Sequence, residues 1–238
     1  MRRFPWILTL ASALVFAVLV SLGVWQVQRL QWKQALIAQA EAAATAPPGT
    51  PDGVLGADNP DFAKVALTCP GLATAPYVEL YTIHEGQAGV RLISACRHPG
   101  YGPILLVDRG FVADVVSARP PVGASATPVR VIAEVRDTPA PGPMALRPEG
   151  RRFYARDNAA MARALGLDGP VAPRTLYALT SSNPEWLALQ PSAPPAAFAN
   201  NHLGYAITWF GLALALAGVY VALLRRKLNP ARREERPS

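Results

Sequence analysis

Asn200-Asn201-His202-Leu203-Gly204-Tyr205-Ala206-Ile207-Thr208-Trp209-Phe210-Gly211 opens a stretch that stays free of charge to Leu224. From Leu203 onward it is apolar enough, and at about 20 residues long enough, to cross a bilayer as a helix. A second such run lies at the other end: Phe4 to Gln28 carries no charged residue, and its apolar heart is Trp6–Trp25. A cleaved signal peptide is the competing reading of that run. Its apolar segment exceeds a signal h-region, and bulky Leu22, Val24 and Trp25 stand where a small-residue cleavage site is needed, so an uncleaved anchor is expected. The fold class that follows is a membrane protein with two transmembrane helices flanking a central domain.

Charge placement supports this. The 238 residues hold 23 Lys and Arg against 16 Asp and Glu, a net charge of +7 that by itself could suggest nucleic acid. Residues 41–200, however, hold 13 basic and 14 acidic side chains. The surplus sits at the ends of the two apolar runs: Arg2 and Arg3, Arg29 and Lys33, then Arg225, Arg226, Lys227, Arg232, Arg233 and Arg236. With both termini inside, eight cations flank the cytoplasmic face and two the other, as the positive-inside rule favours. Membrane lipid is then a partner and nucleic acid is not. No Arg-rich, Ser-rich transit peptide precedes the first span, so a bacterial inner membrane is expected, with the central domain periplasmic.

The expected organisation is a cytoplasmic N-terminus (1–5), transmembrane helix 1 (6–25), a juxtamembrane helix and linker (26–60), an extracytoplasmic domain (61–183), a Pro-rich return (184–201), transmembrane helix 2 (202–224) and a basic cytoplasmic tail (225–238). The domain is α+β and β-rich. Short strands are expected at Phe62–Cys69, Tyr77–His84, Val90–Ala95, Ile104–Val107, Val129–Arg136 and Thr175–Thr180, separated by Pro and Gly clusters. That rhythm predicts an antiparallel sheet or small barrel with one or two helices. One helix is predicted where Asp157 can cap Ala159–Leu165 and Gly166 can end it.

The domain contains no GxSxG, GxxxxGK[ST], HExxH or CxxC pattern, and no catalytic residue is expected. Cys69 and Cys96 can pair in an oxidising compartment or stand as two buried thiols; the sequence does not supply the Cα distance a bridge needs. Cys96-Arg97-His98 resembles half a metal site, but no second ligand pair has metal-binding spacing, so a strand end and a loop residue are expected. Asp108-Arg109-Gly110 reads as a strand-to-turn exit, or as a carboxylate–arginine pair that contacts a partner.

In the second span Gly204, Thr208, Gly211, Ala215, Gly218 and Ala222 are spaced 4, 3, 4, 3, 4. Thr9, Ala13, Ala17 and Ser21 answer them in the first span. These small-residue seams predict an antiparallel helix pair. His202, Tyr205, Ala206 and Trp209 share another face, His202 lying about 160° around from Gly204, so this aromatic face is expected to point away from the partner helix. It suits the aromatic belt of a membrane surface, or a flat apolar ligand with His202 as an axial haem ligand. Arg29, Trp32 and Lys33 continue one side of the first helix, as an interfacial anchor or as a docking site for haem propionates or a protein.

Residues 200–213 (NNHLGYAITWFGLA) resemble the closing signature of the surfeit-locus cytochrome c oxidase assembly factors, and residues 22–33 (LGVWQVQRLQWK) their opening signature. Leu106-Val107-Asp108-Arg109-Gly110-Phe111-Val112 and Phe153-Tyr154-Ala155-Arg156-Asp157 are similar to two shorter stretches of that family. The resemblance implies a non-enzymatic factor that helps to place haem a in the catalytic subunit of cytochrome c oxidase, with haem a synthase as a possible further partner. It implies haem binding at His202, with haem iron as the metal. Tyr205 and Trp209 are haem-face candidates on the face argument alone; Arg29, Trp32, Lys33 and Arg109 are partner or propionate candidates. A haem-independent scaffold that holds oxidase subunits is the alternative.

Overall fold

A computed structural model describes residues 4–137, 141–193 and 200–228. Arg2, Arg3, Arg232, Arg233 and Arg236 lie outside the described residues, as do residues 194–199 of the Pro-rich return. In chain order the elements are α1 (Trp6–Thr45), α2 (Pro51–Leu55), β1 (Lys64–Pro70), β2 (Tyr77–His84), β3 (Gln87–Cys96), β4 (Ile104–Ala113), β5 (Pro128–Arg136), β6 (Arg152–Phe153), α3 (Asn158–Ala164), β7 (Val171–Ala178) and α4 (His202–Leu228). They form two units: residues 39–196, built on a sheet, and residues 1–38 with 197–238, which hold two helices long and apolar enough to cross a membrane.

The sheet has seven strands in the order β1-β5-β7-β4-β3-β2-β6. β4 pairs with β7, and β2 with β6, in parallel; the other neighbours are antiparallel. The expected antiparallel sheet is therefore a mixed one. A parallel neighbour needs a long crossover, and the chain between Ala113 and Val171 supplies it, running through β5, β6 and α3.

β4 is buried from Ile104 to Val112. Leu105 and Val107 join one core with Val65, Val131 and Leu176. Leu106, between them, joins a second core with Val78, Ile93, Phe153 and Met161 of α3. Alternation along a strand sends neighbours to opposite faces, and burial of both faces explains why these strands carry no cleanly polar side. α3 forms as its sequence dictates: Ala160 N–H donates to the capping Asp157 carboxylate at 2.9 Å, and Gly166 follows the last turn at φ 65°.

Cys69 of β1 and Cys96 of β3 form a disulfide, with their Cα atoms 5.1 Å apart. Three strands separate them in the sheet. In a flat sheet, four steps of about 4.8 Å would hold them about 19 Å apart, so the sheet curls until its β1 end meets β3. The curl is barrel-like, but a disulfide and a side-chain hydrogen bond, not a ladder, join edge strand β1 to the end of β3. His98 belongs to this junction: its Nδ1 accepts the Thr68 N–H at 3.0 Å. Part of the expected linker is ordered as well. Thr50 caps α2, and Gly49 pairs with Val65 along β1.

Candidate functional site

α1 and α4 run antiparallel, since Thr9 meets Tyr220 while Gln26 meets His202. On α4 the two most buried residues are Ala206 and Ala213, with His202, Trp209, Leu216, Ala217 and Tyr220 half-buried on the same side. The steps 202-206-209-213-216-220 have the period of 3.5 that keeps one helix face against another. Gly204, Gly211 and Gly218 lie open: among the described residues, no atom beyond the local backbone of α4 would come within 4 Å of a Cβ added at any of them. The small-residue stripe of α4 thus faces away from α1, and the face of His202 turns toward it, the reverse of the expected arrangement. On α1 likewise Ala13, Ala17 and Ser21 are exposed, and the tight position is Gly23, where a Cβ would lie 2.7 Å from the Phe210 ring. The large ring needs a hole, and the glycine of α1 supplies it.

Polar groups mark both ends of this pair. The Thr9 and Tyr220 hydroxyls are 2.9 Å apart, and His202 Nδ1 lies 2.7 Å from Gln26 Oε1. Gln26 lies seventeen positions beyond Thr9 on α1, about 25 Å at 1.5 Å per residue, comparable with a bilayer's hydrocarbon thickness of about 30 Å. Each polar side chain finds a partner in a helix pair that otherwise offers few. Gln26 is 8% exposed. The second ring nitrogen of His202, Nε2, makes no hydrogen bond among the described residues. Tyr205 is 56% exposed and borders a shallow hollow with Asn201, Gly204 and Thr208. Beyond Gln26, the Arg29 guanidinium lies 3.8 Å from the centre of the Trp32 ring, and the Lys33 ammonium 5.8 Å from it, so two cations flank one indole.

In the sheet unit the Asp108-Arg109-Gly110 stretch lies inside β4 and does not leave it. Asp108 has no exposed surface, and its Oδ2 accepts from Arg91 at 2.7 Å and Arg156 at 2.6 Å. Both guanidiniums also lie over the Tyr177 ring. Burial pushes the Tyr177 phenol above its ordinary range, with nearby Arg156 pulling the other way. Arg109 is fully buried on the opposite face. It donates to Ser182 Oγ at 3.0 Å, Ser94 Oγ at 3.4 Å, the Ala73 carbonyl at 3.0 Å and Asn183 Oδ1. Burial lowers its pKa to about 10, which leaves it a cation at neutral pH. A guanidinium with no exposed surface is not presented to a partner or a propionate, so Arg109 leaves that candidate set and works inside the fold. Gly110 and Phe111 then hold the chain's return: Phe111 and Gln190 exchange both backbone hydrogen bonds at 2.8 Å, and Arg91 donates to the Ser192 carbonyl.

The half metal site dissolves, since Cys96 is in the disulfide and His98 accepts a backbone N–H. Among the described residues no group of three or more His, Cys, Asp or Glu could hold a metal ion. Sequence reasoning missed Gln26, Arg91, Arg156 and Tyr177. Gln26 carried a usable signal: it is an amide at the end of an apolar run, level with His202 once the spans are antiparallel. The other three had none, because they come together only through strand order.

The SURF1 family model matches residues 13–214, which include both Gln26 and His202. The chain is 27% identical to "Surfeit locus protein 1" of Homo sapiens over 230 residues, covering 88% of this chain and 74% of that protein. It is 26% identical to the Mus musculus protein of the same name over 229 residues, 88% of this chain and 72% of the relative. It is also 26% identical to the "SURF1-like protein" of Drosophila melanogaster over 244 residues, 94% of this chain and 78% of the relative. With a match that runs from within the first apolar helix into the second, the chain belongs to the SURF1 family.

Proposed function

We propose that this chain is a non-enzymatic assembly factor for haem-copper cytochrome c oxidase, which binds haem a as cargo through His202 and passes it to the catalytic subunit. A haem a synthase would be the donor. The observation that carries the reading is the state of His202. One ring nitrogen is engaged within the helix pair by Gln26, and the other makes no hydrogen bond among the described residues. A neutral imidazole with one free nitrogen suits an axial position on haem iron. Trp209, half-buried on the same side of α4, and exposed Tyr205 offer flat apolar surface for a macrocycle. Arg29 and Lys33, about one and two turns beyond Gln26, offer cations for its propionates while Trp32 anchors the helix at the membrane surface.

No catalytic residue is assigned. Asp108 is taken up by two arginines and Asp157 by the cap of α3. The same reading assigns both termini to the cytoplasm and the sheet unit to the periplasm of a bacterial inner-membrane protein. Arg225, Arg226 and Lys227 in the last turn of α4 support this, as does the disulfide, which belongs in an oxidising compartment.

The experiment is an optical spectrum of the full chain purified from a host that makes haem a, compared with His202→Ala. Loss of the haem bands in the variant is expected; unchanged haem content would remove His202 from the role. The small-residue face of α4 left open by α1 favours a second reading, a scaffold that docks oxidase helices without haem. Co-purification with the catalytic subunit that survives both His202→Ala and a haem-a-deficient host would select that reading.

A further inference from the structure

In hydrocarbon a lone amide and a lone imidazole both need partners, and satisfying that need does not by itself fix which group faces which. Here it is the oxygen of Gln26 that faces the ring, 2.7 Å from Nδ1. A carbonyl oxygen can only accept, so Nδ1 must carry the proton. A neutral histidine with Nδ1–H has its lone pair on Nε2. The pair is placed to hold this state. Gln26 is 8% exposed, and one turn before it Gly23 admits the Phe210 ring, which brings the two helices close at this level.

We infer that Gln26 is a positioning residue for His202: its side-chain oxygen holds the Nδ1 proton, fixing the ring's rotation and the tautomer that leaves Nε2 open to a haem iron. The inference rests on the reading of His202 as a haem ligand. Hydrogen bonds of this kind orient a ligating histidine and raise its basicity; losing one typically costs about 10–100-fold in metal affinity. A more basic imidazole stabilises ferric over ferrous iron, so the strength of the acceptor at position 26 also sets the midpoint potential.

Two measurements on the full chain in detergent test it. The first uses haem-free protein with histidine ring nitrogens labelled with 15N. The chain has three histidines, and His202→Ala identifies the resonances of interest. His202 is expected as the neutral Nδ1–H form with unprotonated Nε2, and Gln26→Leu is expected to lose that preference. An Nε2–H ring in the wild-type chain would overturn the inference. The second uses haem-loaded protein. Gln26→Leu is expected to bind haem about 10–100-fold more weakly with a raised midpoint potential, and Gln26→Glu, a stronger acceptor of similar shape, to lower the potential. A merely structural glutamine would not move the potential in opposite directions in the two variants. Affinity and potential unchanged in Gln26→Leu, with haem lost in His202→Ala, would overturn the role of Gln26 and leave the haem reading standing. Haem retained in His202→Ala would overturn the haem reading itself, and the tautomer lock would lose its purpose.

Discussion

With no exposed surface, Asp108 pairs with both Arg91 and Arg156 through one carboxylate oxygen, while its other oxygen accepts the Gly110 N–H at 3.2 Å. Asp108→Asn would keep the shape and strand two guanidiniums in the interior. Breaking a buried pair in this way typically costs about 3–5 kcal/mol, and chemical denaturation of the full chain should show a loss of that size. Two residues on, Gly110 adopts φ 136°, and a Cβ there would collide with the carbonyl of Gln190. Gly110→Ala combines backbone strain of about 1–3 kcal/mol with that collision. It should destabilise the fold and expose the segment around Gln190 to protease, which limited proteolysis would report. Tyr177 adds a pH dependence. Burial raises its folded pKa, so the neutral phenol is favoured in the fold, and this contribution is lost as pH rises through the unfolded value of about 10. Tyr177→Phe should therefore gain stability relative to the wild type between about pH 8 and pH 11; an unchanged difference between the two chains at both pH values would refute the assignment.

At the scale of elements, α4 carries two stripes that sequence alone ranks wrongly. The small residues announce close approach, yet α1 chooses the other side because it presents Gly23 to a phenyl ring and Thr9 and Gln26 to polar partners. Gly211→Ala should leave the thermal midpoint in detergent unchanged or slightly raised, since its Cβ meets open space and alanine is the better helix former by about 1 kcal/mol in water. Gly23→Leu should lower the midpoint, because the Phe210 ring loses its place. The reverse ranking would restore the small-residue seam as the packed face. Strands were legible where an apolar run lay between Pro and Gly, and β2 matches its expected span residue for residue. β6, two residues long, carries too little pattern to be read. The parallel pairing of β4 with β7 and the four-residue cluster around Asp108 depend on strand order, which local sequence does not encode. His202 was legible as a lone imidazole at the rim of an apolar run; its orientation was not, because that depends on a glutamine 176 positions away.

For the molecule as a whole, the bond between Cys69 and Cys96 closes the curl of the sheet. It spans 27 residues, for which the chain-entropy model gives about 3–4 kcal/mol. Cys69→Ala with Cys96→Ala should lower stability by an amount of that order, and full stability in the reduced wild-type chain would show that the bond adds nothing. The same corner of the fold has a consequence for behaviour at high protein concentration. Along the outer rim of β1 the Lys64 carbonyl and the Ala66 amide bond to Gly49, and the Thr68 amide bonds to His98. At the opposite rim the Glu79 amide is taken by Arg151, and Arg152 and Tyr154 lie over Tyr81. Left bare, a rim of this kind templates the edge-to-edge pairing of one chain with another. With both rims occupied in this way, the chain leaves, among the described residues, few unpaired backbone groups on which a stray strand could settle by accident.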